Sequence, residues 1–256
     1  MTSDHGRRVA SMFGRIAGWY DFLNHLLSLG LDILWRRRLV DLLALSRERD
    51  SRLLDLAAGT LDVSLEAAGR FPRCRIAAAD FCLPMLTKGK AKLIRRGAAG
   101  FAPPSRAGAR DKRPGQDMAA VDPVQADGRA LPFADESFQA ASIAFGIRNI
   151  RPRGEAYSEL LRVLKPGGRL CILEFGSGRQ RILGGAYNFY LNRLLPLIGR
   201  VFSQDDGAYR YLADTIREFP DAAALAAELR VAGFDEVFWE RLAFGIVVIH
   251  VAVKPA

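Results

Sequence analysis

Hydrophobic and polar positions change period several times along the chain. Up to about Ser46, aromatic residues (Phe13, Trp19, Tyr20, Phe22, Trp35) and leucines are interleaved with arginines, a pattern that predicts amphipathic helices. "RLLDLAAGT" (52–60) is a short apolar run closing on glycine, which reads as a buried strand and a turn. "LDVSLEAAGRF" (61–71) predicts a helix ending near Gly69, "CRIAAAD" (74–80) a second buried strand, and "LPMLTKGKAKLIRRG" (83–97) a second helix. The pattern then lapses. Residues 97 to about 123 are rich in Gly, Pro, Ala and Arg without an apolar period, and predict a flexible surface insertion.

Order resumes with "VQADGRALPF" (124–133), a strand end and turn, and "FQAASIAFGI" (138–147), a buried strand. "RGEAYSELLRVLK" (153–165) is an amphipathic helix broken by "PGG", and "RLCILEFG" (169–176) is another apolar strand. "DAAALAAELRVAGF" (221–234) predicts a helix with a glycine stop, and "EVFWERLAFGIVVIHVAVKP" (236–255) a closing hairpin of two strands. Alternating strands and helices predict an α/β doubly wound, mostly parallel sheet with an antiparallel C-terminal edge. The expected organisation is an N-terminal helical segment over residues 1–46, facing a membrane or covering a site, followed by one large domain over 47–256.

Composition changes little in this picture. Half of the 256 residues are hydrophobic, enough for a sizeable core. No apolar run of transmembrane length and no signal peptide is read, so a cytoplasmic protein is expected. The three cysteines, Cys74, Cys82 and Cys171, are scattered and far from the three histidines, so neither a metal site nor a disulfide framework is expected. The net charge of +9 is compatible with nucleic acid, anionic membrane surfaces or acidic small molecules, and equally with solvated basic faces.

In a doubly wound sheet, chemistry collects at the carboxyl ends of the strands. Four such places stand out: Asp55 to Thr60, Asp80, Asp127–Gly128, and the "FGIRN" run. Gly59 permits close approach of backbone to a ligand, and the N–H groups of the helix start that follows favour a carboxylate or phosphate. Asp80, about twenty residues on, is placed to accept hydrogen bonds from the hydroxyls of a ribose. Asp127 is placed to meet an adenine amine. Each aspartate has a plainer reading as a cap or turn residue. There is neither a GxGxxG nor a GxxxxGK[ST] pattern, so dinucleotide and phosphate-loop fingerprints are missing. A helix ending in Pro-Gly-Gly before a late strand, "RVLKPGGRLCILEF", is typical of methyltransferases that use S-adenosylmethionine (SAM).

Together these segments resemble the ubiquinone/menaquinone biosynthesis C-methyltransferase family. The matching runs are "YDFLNHLLSLGLDILWRR", "LLDLAAGTLDVS", "ALPFADESFQAASIAFGIRNI", "RVLKPGGRLCILEF" and "DDGAYRYLADTIREFPDAAALAAELRVAGFDEV", almost the whole chain outside the 97–123 insertion. The resemblance implies a seven-stranded class I methyltransferase sheet. It implies methyl transfer from SAM to a ring carbon of a polyprenylated quinol, with demethylmenaquinol or a methoxy-benzoquinol as the acceptor. It carries cofactor contacts over to Thr60, Asp80, Asp127 and Gly128, and to Ala144 where the family usually has serine. Asp55 and Gly59 complete the expected cofactor loop.

A quinol ring carbon becomes a good nucleophile only when a hydroxyl is deprotonated. Arg148, a fixed cation, would favour that anion or orient a water, and Asn149 would position the ring oxygen. Tyr20, Tyr209, Tyr211 and Arg217 are expected on the substrate wall. Because the prenyl tail resides in a bilayer, peripheral association with the inner membrane face is expected, through Leu34, Trp35 and the arginines of "WRRRL". A homodimer is compatible with this reading. Nucleic acid is not expected as a partner, since neither a [DN]PP[YF] run nor a Pro-Cys occurs. Leu61 stands where the family has glycine, and with Ala144 it opens an alternative: a binding or scaffold protein with a weakened cofactor site.

Overall fold

Strands buried on both faces need no polar alternation, and the central runs have none. In the computed structural model, which describes residues 4–16, 25, 28–96, 118–176, 211 and 214–256, they form the middle of a seven-stranded sheet. The strands are β1 (Ser51–Leu56), β2 (Cys74–Asp80), β3 (Ala120–Gln125), β4 (Phe138–Ala144), β5 (Leu164–Phe175), β6 (Asp235–Leu242) and β7 (Val247–Val253). Their spatial order is β3-β2-β1-β4-β5-β7-β6. β1 to β5 run parallel, whereas β7 is antiparallel to both β5 and β6, which gives the expected hairpin edge.

The helices are α1 (Asp4–Ile16), α2 (Leu31–Leu42), α3 (Asp62–Arg70), α4 (Leu83–Arg95), α5 (Arg153–Val163) and α6 (Ala222–Val231). Trp35 and Leu39 of α2, Leu65 of α3 and Leu86 of α4 close one face of the sheet over Leu53, Ile76 and Leu173. Tyr157 and Leu160 of α5 and Leu225 and Leu229 of α6 close the other face over Leu54, Ile143 and Ile172. The carboxyl edge splits between β1 and β4, where the chain winds outward in both directions. Ligands bind at such a switch point.

Two expected boundaries shift. The N-terminal segment is not one unit ending at residue 46: Trp35, Leu39 and Val40 are buried in the main core, so α2 belongs to the sheet. The insertion expected to run to about 123 ends earlier, because β3 begins at Ala120 and pairs in register with Arg75 to Asp80. Pairing with β2 overrides the Asp122–Pro123 turn signal. This is an edge strand, where a proline costs no second ladder.

Candidate functional site

The loops after β1, β2, β3 and β4 converge at the switch point around a half-open cavity. Helix α1 covers this space, presenting Gly6, Val9, Ala10 and Phe13 at one-turn spacing. It is seated by Ala10 and Phe13 against Cys82 and Met85, and the Cys82 thiol donates to the Ala10 carbonyl at 3.4 Å.

The β1 loop is wound through the left-handed region at alternate residues: Ala57, Gly59 and Leu61 have φ of 56°, 54° and 69°. Only one of these is glycine, and such strain persists where surrounding contacts over-determine it. Here Ala58 N–H donates to the Ala79 carbonyl (3.1 Å), Leu61 N–H to the Ala58 carbonyl (2.8 Å) and Gly59 N–H to Asp80 Oδ2 (2.8 Å). The Leu61 side chain turns away from the cavity. It is fully buried in the core cluster of α2, α3 and α4, and fills the space left by Gly89 of α4. Leu61, which stands where the family has glycine, therefore adds no bulk to the cavity.

Asp80, at the end of β2, is on the cavity wall. Its Oδ2 accepts from Gly59 N–H and its Oδ1 from Cys82 N–H (2.7 Å). Each oxygen keeps a lone pair for another donor. Burial pushes the carboxyl above its ordinary value, and the two N–H bonds oppose that. Asp127 and Gly128 line the far side. Arg129 grips Asp127 through Nη2 (2.7 Å) and Nε (3.0 Å), and this pairing holds the carboxyl below the usual range. Leu56 and Ile150 pack directly over Gly128, so closely that a Cβ there would crowd both, and they form an apolar part of the wall. Ala144 lines the cavity at the end of β4, and Gly59 lines it from the β1 loop.

Other expected residues lie behind the wall. Asp55 is buried, accepting from Ser64 Oγ (2.6 Å) and Ser142 Oγ (2.8 Å). Desolvation pushes its pKa up to about 6 despite those two bonds. The Thr60 hydroxyl is buried and accepts from Lys92 Nζ at 3.0 Å. Both residues brace the loop; neither reaches the cavity lining.

The "FGIRN" run is divided. Asn149 lines the cavity, and its Oδ1 accepts from the Tyr211 hydroxyl at 3.1 Å. Arg148 is buried beneath it, with Nη1 donating to Glu174 Oε1 (2.5 Å) and to the Phe145 carbonyl (2.7 Å). Its guanidinium lies 5.5 Å from the Phe175 ring centre. Arg148 is not on the cavity wall, so it reaches the site through Asn149 and Phe145. Arg217 is exposed and paired with Asp214 at 3.5 Å, away from the lining. Tyr20 and Tyr209 lie outside the described residues.

Sequence reasoning missed Glu174, Phe145 and the α1 face. Glu174 sits inside "CILEFG", where an apolar run hides one carboxylate. Phe145 takes a φ of 56° that no local signal announces. The α1 face was legible in the spacing of Gly6, Val9, Ala10 and Phe13.

Comparison with known proteins is consistent along the whole chain. Residues 1–254 match the ubiE/COQ5 methyltransferase family. A demethylmenaquinone methyltransferase of Thermus thermophilus is 42% identical over 244 residues, 95% of this chain and 100% of that one. A ubiquinone/menaquinone biosynthesis C-methyltransferase of Pseudomonas aeruginosa is 37% identical over 254 residues, covering 99% of this chain and 91% of the other. Among solved structures, a SAM-dependent methyltransferase from Thermotoga maritima superposes with a TM-score of 0.62 at 18% identity, covering 95% and 99% of the two chains. That likeness is one of fold.

Proposed function

The chain belongs to the ubiE/COQ5 methyltransferase family, and from that premise we propose how its cavity works. The protein is a SAM-dependent C-methyltransferase that methylates a quinone-type ring in menaquinone or ubiquinone biosynthesis. The observation that carries this is the family match over nearly every residue, including all four loops of the cavity. Within it, demethylmenaquinol is the acceptor we favour, because the Thermus relative is the more identical of the two and is matched over its full length.

The cavity fits SAM. Asp80 keeps lone pairs for ribose hydroxyls, Leu56 and Ile150 give the wall beside Gly128 an apolar surface that suits an adenine ring, and Asp127 Oδ2 retains acceptor capacity for the exocyclic amine. Gly59, on the cavity wall, lets backbone approach the cofactor. Bound there, SAM supplies an electrophilic methyl group. The chain itself orients the acceptor and keeps water out with α1. Asn149, aligned by Tyr211, holds a ring oxygen. Arg148 keeps the turn that presents Asn149 in place and adds positive charge beneath it, which favours the quinolate over the quinol. Leu61 leaves this arrangement untouched, which removes one of the two grounds for a weakened scaffold protein. Ala144 remains on the wall without a hydroxyl.

Peripheral membrane binding belongs to this reading. Among the described residues no helix is long and apolar enough to cross a membrane. Within "WRRRL", Arg36 pairs with Asp32 and Asp62, Arg37 with Glu66, and Arg38 with Glu240, while Trp35 is buried. The candidate basic surface is that of α1 and α4, where Arg7, Arg15, Lys90, Arg95 and Arg96 are exposed, as are Leu83 and Ile94.

Incubating the purified protein with SAM and either demethylmenaquinol or the methoxy-benzoquinol, followed by mass spectrometry, tests the reaction. A product one methylene heavier from the naphthoquinol alone supports the favoured acceptor, and from the benzoquinol alone overturns it. Co-sedimentation with anionic vesicles, lost in high salt, tests the basic face.

A further inference from the structure

An apolar track leads out of the cavity on the side away from the cofactor loops. Phe145 lines the cavity. Its ring lies 4.8 Å from that of Phe175 and 6.3 Å from that of Trp35, between centroids. Beyond these rings the packed cluster continues to Leu242, Ala243 and Ile246, in the turn between β6 and β7. The turn is fixed to the end of β5, since Phe175 pairs with Val247 and Gly176 N–H donates to the Ile246 carbonyl at 2.9 Å.

The track ends on exposed hydrocarbon. Phe244 is 78% exposed at the tip of the turn, and its backbone is held there by three successive positive φ values, 47°, 55° and 88° at Ala243, Phe244 and Gly245. Backbone strain of that kind is unexpected at a phenylalanine, and it holds the ring out rather than in. On α2, Leu31 and Leu34 are 39% and 57% exposed.

Connectivity places these side chains on one rim. Arg38 of α2 is bonded to Glu240 of β6 through Nε and Nη2, at 2.9 and 2.7 Å. Leu34 is one helical turn from Arg38 and Phe244 four residues from Glu240. Both displacements run towards the carboxyl edge, because α2 descends from Arg36, which pairs with Asp62 at the start of α3, while β6 ascends beside β7. The exposed residues therefore connect with the cavity through the packed side chains of Trp35, Phe175 and Phe145.

We propose that this track is the binding site of the acceptor's polyisoprenoid tail, with the ring inside at Phe145 and the chain leaving over Phe175 to Phe244 and Leu34. The proposal rests on the reading of the acceptor as a prenylated quinol. A branched, unsaturated hydrocarbon chain suits the site: the track carries aromatic faces and leucines, and its flanking charges, Arg38 and Glu240, are satisfied by each other. A tail held here leaves the ring fixed at both ends, which lowers the cost of orienting it.

The test uses full-length protein in neutral detergent micelles, with a tail-less demethylnaphthoquinol and its diprenyl homologue as acceptors. Wild type should show a lower KM for the prenylated ring. Phe244→Ser and Leu34→Ser are surface changes, and each should cut the preference for the prenylated over the tail-less acceptor, read as a ratio of kcat/KM, by roughly tenfold for the phenylalanine and threefold for the leucine. An unchanged ratio in both variants overturns the tail site. So does an unchanged ratio accompanied by lost vesicle binding, which would assign the rim to the lipid surface. If wild type methylates neither ring, the acceptor assignment fails and the tail site falls with it. If it methylates the tail-less ring as well as the prenylated one, only the tail site fails.

Discussion

Leu61 and Gly89 are complementary: the leucine side chain occupies the position that a Cβ on residue 89 would need. Leu61→Gly relieves a positive φ, worth about 1 kcal/mol. It also removes a fully buried leucine, which costs about 2–5 kcal/mol. The cavity term wins, so the variant should melt earlier while its SAM affinity stays near wild type. Gly89→Ala alone should destabilise by about 1–3 kcal/mol through overpacking, and should cost less in the Leu61→Gly background, where the Thr60 carbonyl carbon at 3.1 Å remains the close neighbour. Thermal melts of the four proteins, with calorimetric titration of SAM, measure both effects. A large loss of SAM affinity in Leu61→Gly would contradict the orientation described.

Asp55 makes stability depend on pH. Its pKa is pushed from 3.8 up to about 6 by burial in the folded state. Between those values the folded protein binds the extra proton. The contribution of Asp55 is therefore most favourable at low pH and declines as pH rises, reaching its full loss above about pH 6. Asn at this position keeps partners for Ser64 and Ser142 and carries no titratable group. The difference between wild type and Asp55→Asn in urea unfolding should shift in favour of the variant between about pH 4 and pH 6, by up to about 3 kcal/mol, and be flat above.

Asp80 joins the two loops and, in our reading, the cofactor. Asp80→Ala leaves Gly59 and Cys82 N–H groups without their acceptor and removes the ribose contact. SAM affinity should fall about 10- to 100-fold, the scale of one or two hydrogen bonds to a charged group. Asp80→Asn, which retains one carbonyl acceptor, should fall between. Calorimetric titration would show it, and equal affinity in all three proteins would remove Asp80 from the site.

Arg148 and Glu174 form a buried ion pair in which, among the described residues, Arg148 Nε and Glu174 Oε2 have no hydrogen-bond partner. Burial raises the Glu174 carboxyl and the arginine opposes it. Glu174→Ala strands the guanidinium and should cost about 3–5 kcal/mol. The paired change Arg148→Met with Glu174→Leu should recover most of that stability. Activity should not return, because the turn presenting Asn149 loses its anchor and its positive charge. Chemical denaturation and methyl-transfer rates on the same samples separate the two effects.

The spacing of the apolar runs was enough to read the alternating strands and helices, the hairpin edge and the carboxyl-edge location of the site, because burial on both faces writes an unbroken apolar signature. Motifs were enough to name loops that line the cavity. The direction in which each side chain points was not legible. "LAAGTLD" reads the same whether Leu61 faces a ligand or Gly89, and "FGIRN" does not tell that Arg148 turns under the sheet edge while Asn149 faces the cavity. "CILEFG" reads as a strand, with no sign that Glu174 meets Arg148. These outcomes depend on residues brought together from 26 or more positions away, by strand pairing and helix packing. Local pattern determined the elements of this protein; long-range packing alone decided which residues face the cavity and which brace it, because that choice is made by partners the local sequence does not contain.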